Sequence, residues 1–267
     1  ASIGTLGITT SNERASTGLT TPDIVTFLGN MSGLAAEGVT HAAFEASSHG
    51  LDQYRTEGLA VKAAAFTNLS HDHLDYHGTM QAYLAAKLRL FTEVVDAKGT
   101  AVLWNDDEYS PVVRDAVGQR GVRLMTVGTT GSDLRLISRT PTQLGQSLVI
   151  AAGDLTQTVE LPLIGAYQVA NALVSAGLAI AAGGDVAQAL GHPARPQPVP
   201  GRLGRGGITK AGAPVYVDYA HTPDAIEAAL DALRPHATGR LILVFGAGGD
   251  RDQAKRPEMG KVAAAKA

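Results

Sequence analysis

Residues 61–95 read VKAAAFTNLSHDHLDYHGTMQAYLAAKLRLFTEVV, three patterns in succession. VKAAAF is a short β-prone apolar run that ends in polar residues. A loop then packs His71, Asp72, His73, Asp75 and His77 into seven positions. From Thr79, a plausible N-cap, the spacing predicts a helix over 79–95. At about 100° per residue, Met80, Tyr83, Leu84, Leu88, Leu90, Phe91, Val94 and Val95 share one face. Arg89, Thr92 and Glu93 fall on the other side.

Working outward, VTHAAFEASS (39–48) reads as a buried strand through Phe44, and GTAVLWNDD and VRLMTVG as further strands. Strands alternating with helices imply an α/β fold with a mostly parallel sheet. Ligands in such sheets sit beyond the carboxyl ends of the strands, where Glu45 and the His-rich loop fall. Residues 134–162 show short alternating runs with turn signals, an antiparallel meander, and a helix over 167–182 follows. A Pro- and Gly-rich stretch, GHPARPQPVPGRLGRGG, then reads as a linker. Beyond it comes a second α/β unit: strand VYVDYA, helix PDAIEAALDALRPH, strand RLILVFG, and a Gly-rich turn into a helix over 259–267. The domains are expected over 1–200 and 201–267.

The chain has 267 residues, 45% hydrophobic and 18% charged, which is globular in character. A net charge of -3 gives no nucleic-acid footprint. The absence of cysteine rules out disulfides and thiolate metal sites and permits a reducing compartment. The longest apolar run, about 172–182, is broken by Ser and Gly and is too short for a membrane span. The chain starts at Ala1 and stops inside a predicted helix, so it is expected to be a fragment.

Lys87 lies near the centre of an apolar face. Either its ammonium snorkels to solvent, or it is desolvated with a lowered pKa. A neutral amine of that kind serves as a base or reacts with carbon dioxide to give a carbamate. The His/Asp loop offers metal-type donors, or simply a solvated loop. Glu45 sits at a strand end, followed by Ser47, Ser48, His49, Gln53 and Arg55; the Ser-His adjacency makes no triad. In LTTPD, Thr21 reads as a helix cap with Pro22 at the first helical position, or as part of an anion site. FGAGGDRDQAKRP, a Gly-rich turn with Arg251, Lys255 and Arg256, favours an anion but does not fit G-x-G-x-x-G. Asp218, at the end of VYVD, either accepts ribose hydroxyls or forms a turn.

Jointly, TTPD, EASSHGLDQYR, TNLSHDHLDYHGTMQAYLAAKLRLF, GAYQVANAL, VPGRL, VDYAHTPDAIEAAL and VFGAGGDRDQAKRPEMG resemble the Mur ligases, in the family's order and over nearly the whole chain. The likeness is strongest to members that add the third peptide residue in peptidoglycan synthesis. It implies a central ATPase domain with a small antiparallel part, followed by a Rossmann-like domain. It implies a cytoplasmic, monomeric enzyme that forms an amide bond through an acyl phosphate, using ATP and two magnesium ions. Its partners would be small molecules, with neither nucleic acid nor membrane. Glu45 resembles the ligand of the first magnesium and His73 a ligand of the second. Lys87 resembles the family's carbamylated lysine. Thr20, Thr21, Ser47, Gln53 and Arg55 match positions that bind the muramoyl-dipeptide nucleotide. Asn171, Arg202 and Asp218 match ATP-site positions, and Arg251 the site of the incoming amino acid, expected to be diaminopimelate.

The sequence departs from that pattern in places. No G-x-x-x-x-G-K-[ST] is present, and Gly260-Lys261 is followed by Val262. The resemblance puts that loop before Ala1, so the 267 residues alone are expected to be inactive. Gln168 stands for the first Asn of an N-x-x-N pair, Gly204 for a Glu, and Ala254 interrupts DxGKRP. Rival readings are another Mur or folylpolyglutamate-type ligase, a metallohydrolase built on residues 71–77, and a non-catalytic fragment.

Overall fold

The computed structural model describes residues 1–11, 13–70, 72–192, 199, 201–247 and 255–267, without the side chain of Lys255. Two compact units result: residues 1–126 with 181–183, and residues 127–180 with 184–267. This partition differs from the sequence division near Gly201, which is taken up below.

The first unit opens with β1 (Ser2–Gly4), β2 (Gly7–Thr9) and β3 (Arg14–Ala15), then helix α1 (Ile24–Ala36) and β4 (Ala43–Phe44). Their sheet order is β3-β2-β1-β4. β4 runs parallel to β1, with Phe44 opposite Ile3, so the residue after β4 emerges beside the end of β1. The buried strand expected over 39–44 is only these two residues, and Ala43 is exposed. Phe44 meets Phe27 of α1 edge-on at 5.1 Å.

Next come α2 (Ser48–Asp52), β5 (Val61–Phe66), α3 (Leu74–His77), α4 (Met80–Arg89), a π-helical turn (Leu90–Val94), β6 (Val95–Trp104), α5 (Ser110–Arg120) and β7 (Arg123–Gly128). β5 and β6 are parallel, as the strand–helix–strand reading requires. Thr79 caps α4, its hydroxyl accepting from the Ala82 N–H at 3.1 Å. The helix expected through Val95 becomes π-helical at Leu90, and Val95 already begins β6. Phe66, Tyr83, Phe91, Val94, Val95, Leu103, Val113 and Val117 form the core, with Leu84, Leu88 and Met80 packed on it. Burying a side chain such as Phe91, 1% exposed, contributes about 2 kcal/mol.

In the second unit, β8 (Leu134–Thr142), β9 (Gly145–Ala152) and β10 (Leu155–Leu161) form the expected antiparallel meander. Gly153, at φ 58°, supplies the positive dihedral of the two-residue β9–β10 turn. The end of β7 runs parallel to β8, with Val127 opposite Leu134. Then follow α6 (Ala166–Ala181), α7 (Val186–Gly191), the antiparallel pair β11 (Gly204–Ile208) and β12 (Pro214–Val217), α8 (Pro223–Leu233), a 3-10 turn (Arg234–His236) and α9 (Lys255–Lys266).

RLILVFG is not a strand. Leu241 and Leu243 pack against Ile226, Leu230 and Met259, while Ile242 and Val244 are 80% and 93% exposed. The alternation is that of a strand, but no ladder partner lies beside it among the described residues. Among the described residues no helix is long and apolar enough to cross a membrane.

Candidate active site

The parallel pairing of β1 and β4 fixes Glu45. Its N–H donates to the Ile3 carbonyl at 2.9 Å. Its carboxylate accepts from the Thr5 hydroxyl at 3.1 Å and the Thr5 N–H at 3.3 Å. The Thr5 hydroxyl also meets that of Thr20 at 3.0 Å. Gly4 lacks a side chain where a Cβ would come within 3.1 Å of this carboxylate.

Thr21 is 1% exposed and does not cap α1. The cap is Asp23, whose carboxylate accepts from Val25 and Thr26, so Pro22 lies outside the helix. The Thr21 hydroxyl instead donates to the Glu45 carbonyl at 2.8 Å and accepts from the Ser47 N–H at 3.0 Å. It splices the chain after β4 to the segment before α1. Ser47 caps α2 through the Gly50 N–H. Gly50 is required there, because a Cβ would lie 2.7 Å from Thr21 Cγ2.

The turn after α2 holds the other expected binding residues. Arg55 donates to the Thr21 carbonyl at 2.9 Å and to Gln53 Oε1. Gln53 Nε2 donates to the Tyr76 hydroxyl at 3.0 Å, which donates to Asp52 at 2.8 Å. Between them Tyr54 is left-handed at φ 57°, which costs a non-glycine residue about 1–2 kcal/mol. Arg89, read from sequence as a solvent-side residue, is 14% exposed in its side chain. It donates to Leu51 O and, at 3.4 Å, to Asp52 O, and its guanidinium lies 3.7 Å over the Tyr54 ring.

The His-rich loop gathers on Tyr83, which is 6% exposed. His77 stacks on that ring at 5.2 Å and 19°, and His73 meets it edge-on at 5.7 Å. Lys87 Nζ lies over it at 5.2 Å. His73 is also left-handed, at φ 55°, and its N–H donates to Asp72 at 2.8 Å. His77 Nε2 bonds Ser48 Oγ at 3.0 Å, and His49 lies 5.0 Å from His73 and 4.2 Å from Tyr76. Burial, then His73 and His77, pull the His49 pKa below its usual value.

Lys87 is half-buried. Burial pulls its amine below the ordinary lysine range, opposed by Asp107, Asp72 and Glu45 in that order. The desolvated reading of Lys87 therefore holds over simple snorkelling. Those carboxylates make the surroundings of Nζ anionic. Among the described residues, no three His, Asp or Glu side chains converge as a metal cage. Such a donor set fits magnesium, which takes one or two carboxylates and keeps water and phosphate oxygens for the rest.

In the second unit, Asn171 Nδ2 donates to Gln168 Oε1 at 3.2 Å, one turn apart on α6. The substituted Gln168 therefore still pairs with Asn171. Asp218 accepts from the Leu203 N–H at 2.8 Å and the Ala220 N–H at 2.9 Å, the turn-forming role open to it from sequence. Arg202 is exposed. The Tyr167 phenol is pushed up to about 12 by burial and then by Asp218, with Arg202 opposing. Tyr167 thus lies within electrostatic reach of both, although the residue is 39% exposed. Buried Gln146 holds the approach to α6, donating to Leu163 O and Gly165 O, both at 2.9 Å. His71, and Arg251 with the Gly-rich turn at 248–254, lie outside the described residues.

Sequence reasoning missed Thr5, Tyr76, Arg89, Asp107 and Gln146. Only Arg89 left a signal: a long cation two positions from a buried lysine, four before Glu93.

Residues 1–179 match the model of the Mur ligase middle domain, and residues 201–267 that of the Mur ligase glutamate ligase domain. A UDP-N-acetylmuramoyl-L-alanyl-D-glutamate--2,6-diaminopimelate ligase from Zymomonas mobilis is 54% identical over 264 residues, 99% of this chain and 54% of its own. One of the same description from Caulobacter vibrioides is 50% identical over 270 residues, 99% of this chain and 56% of its own. A solved structure described likewise superposes with a TM-score of 0.81 at 32% identity, covering all of this chain and 54% of that one. The chain spans about half the length of the curated relatives it matches. With both domain models matched in order, and with the parallel sheet and the Glu45–Lys87 surroundings in place, the chain belongs to the Mur ligase family.

Proposed function

We propose that these residues serve an ATP-dependent ligase that joins meso-diaminopimelate to UDP-N-acetylmuramoyl-L-alanyl-D-glutamate. The observation that carries the substrate is the extent of likeness to the diaminopimelate ligases, across nearly every residue of the chain. In the reaction, the glutamyl carboxylate attacks the γ-phosphorus of ATP and ADP leaves. The amine of the incoming amino acid then attacks the acyl carbon and phosphate leaves.

Glu45, held by Thr5, would hold the first magnesium and His73 the second. Bound there, magnesium would supply positive charge against the triphosphate and the acyl phosphate. Lys87 carries a carbamate: its neutral amine adds to carbon dioxide, loses a proton and presents an anionic oxygen. The lowered pKa of the amine supports that role, because only the neutral form reacts. Thr20, Thr21, Ser47, Gln53 and Arg55 position the muramoyl-dipeptide nucleotide. Asn171, Arg202 and Asp218 serve ATP, and Arg251 the incoming amino acid. We assign domains to 1–200 and 201–267, a division supported by the two matched ranges. We place the protein in the cytoplasm, where these soluble precursors and ATP are found, as a monomer acting on small molecules.

The test is ATP-dependent phosphate release with the dipeptide nucleotide, magnesium and either diaminopimelate or lysine. It is run on this chain and on one extended upstream through a phosphate loop. Activity with diaminopimelate is expected only in the extended chain, lost by at least 100-fold in Lys87→Ala and partly recovered with a short-chain carboxylate. Lysine as the better acceptor would overturn the amino-acid assignment. Metal-dependent hydrolysis without ATP would overturn the ligase.

A further inference from the structure

Tyr54 is left-handed, at φ 57°, between Gln53 and Arg55, the two residues proposed to position the nucleotide substrate. The turn closes through the Arg55 N–H on Gly50 O at 2.8 Å and the Tyr54 N–H on Leu51 O at 3.2 Å. A tyrosine holds such a backbone only where its surroundings over-determine it. Arg89 supplies that surrounding from α4. Its plane lies 3.7 Å over the Tyr54 ring, and its Nη1 caps the carbonyls of Leu51 and Asp52. Glu93 at 2.6 Å and Glu57 at 3.4 Å fix the guanidinium.

We infer that Arg89 is the positioning residue of the Gln53–Arg55 turn, locking Tyr54 left-handed so that both binding side chains point as the substrate requires. This rests on the substrate role proposed for Gln53 and Arg55. It also ties the turn to the helix that carries Lys87. A lysine at position 89 would keep the charge but not the planar fork that stacks and donates at once.

The test begins without ligand. Amide hydrogen exchange is followed in this chain for wild type, Arg89→Met, and Arg89→Met with Tyr54→Gly. In Arg89→Met, exchange at the Tyr54 and Arg55 amides should rise at least tenfold. The Tyr83 amide, bonded to Thr79 O at 3.0 Å, should keep its protection. Glycine adopts positive φ without a Cβ clash, so the added Tyr54→Gly should recover most of the lost protection at Arg55. Unchanged exchange in Arg89→Met, loss spread equally through α4, or no recovery in the double variant would each overturn the inference. Affinity for UDP-N-acetylmuramoyl-L-alanyl-D-glutamate is then measured on the same variants in the chain extended upstream, with at least a fivefold weakening expected in Arg89→Met. If wild type fails to bind, the substrate reading falls, and the exchange result still decides the positioning role.

Discussion

Thr21 shows how one hydroxyl does two jobs at once. Its oxygen donates to Glu45 O and accepts from Ser47 N–H, in a position only 1% exposed. Thr21→Val keeps the shape and strands both backbone groups, which should cost about 1–3 kcal/mol. Chemical denaturation measures this directly, and a loss under about 0.5 kcal/mol would mean that water replaces the hydroxyl. From sequence, TTPD offered Thr21 as a cap, and the structure gives that cap to Asp23. A threonine before a proline reads as a cap, and the long-range partners that outbid that local pattern lie 24 and 26 residues away.

Helix α4 was the most legible element. Its cap, its apolar face and the odd lysine were all readable, because helical period and burial agree there. The face also carries a pH consequence. The Lys87 amine has a folded pKa below its ordinary 10.5. Between the two values the unfolded chain binds the proton and the folded one does not, so stability rises with pH across that window. Below the folded value, the buried charge is a standing cost. Lys87→Met should therefore stabilise the chain at neutral pH, with the gain shrinking toward pH 10.5. Melting temperature against pH for the two proteins reads this, and an equal gain at every pH would refute it. The π-helical end of α4 was not legible, since nothing in LFTEV distinguishes a π turn from an α turn without knowing where β6 begins.

For the molecule as a whole, parallel α/β architecture and the antiparallel meander were readable from period alone. The strand over 240–246 was not realised, because a strand needs neighbours, and none pairs with it among the described residues. Its bare side chains bear on solubility: Ile242 and Val244 present an exposed apolar row, a template for other chains. Val244→Lys should raise the concentration at which light scattering first detects association, with no change in melting temperature. The site was readable only in part, since Glu45, His73 and Lys87 each carry unusual chemistry for their place, whereas Thr5 and Asp107 are ordinary residues made relevant by folding. One last consequence concerns length. α4 passes through Leu90–Val94 into β6 at Val95 with no connecting residue, so Lys87 and the strand are geared together. Inserting one residue between them would turn the lysine about 100° around its axis, or slip the strand and exchange its two faces. Among descendants of this sequence, residues 87–95 should admit no insertions or deletions, while the turn at Gly153 drifts in length.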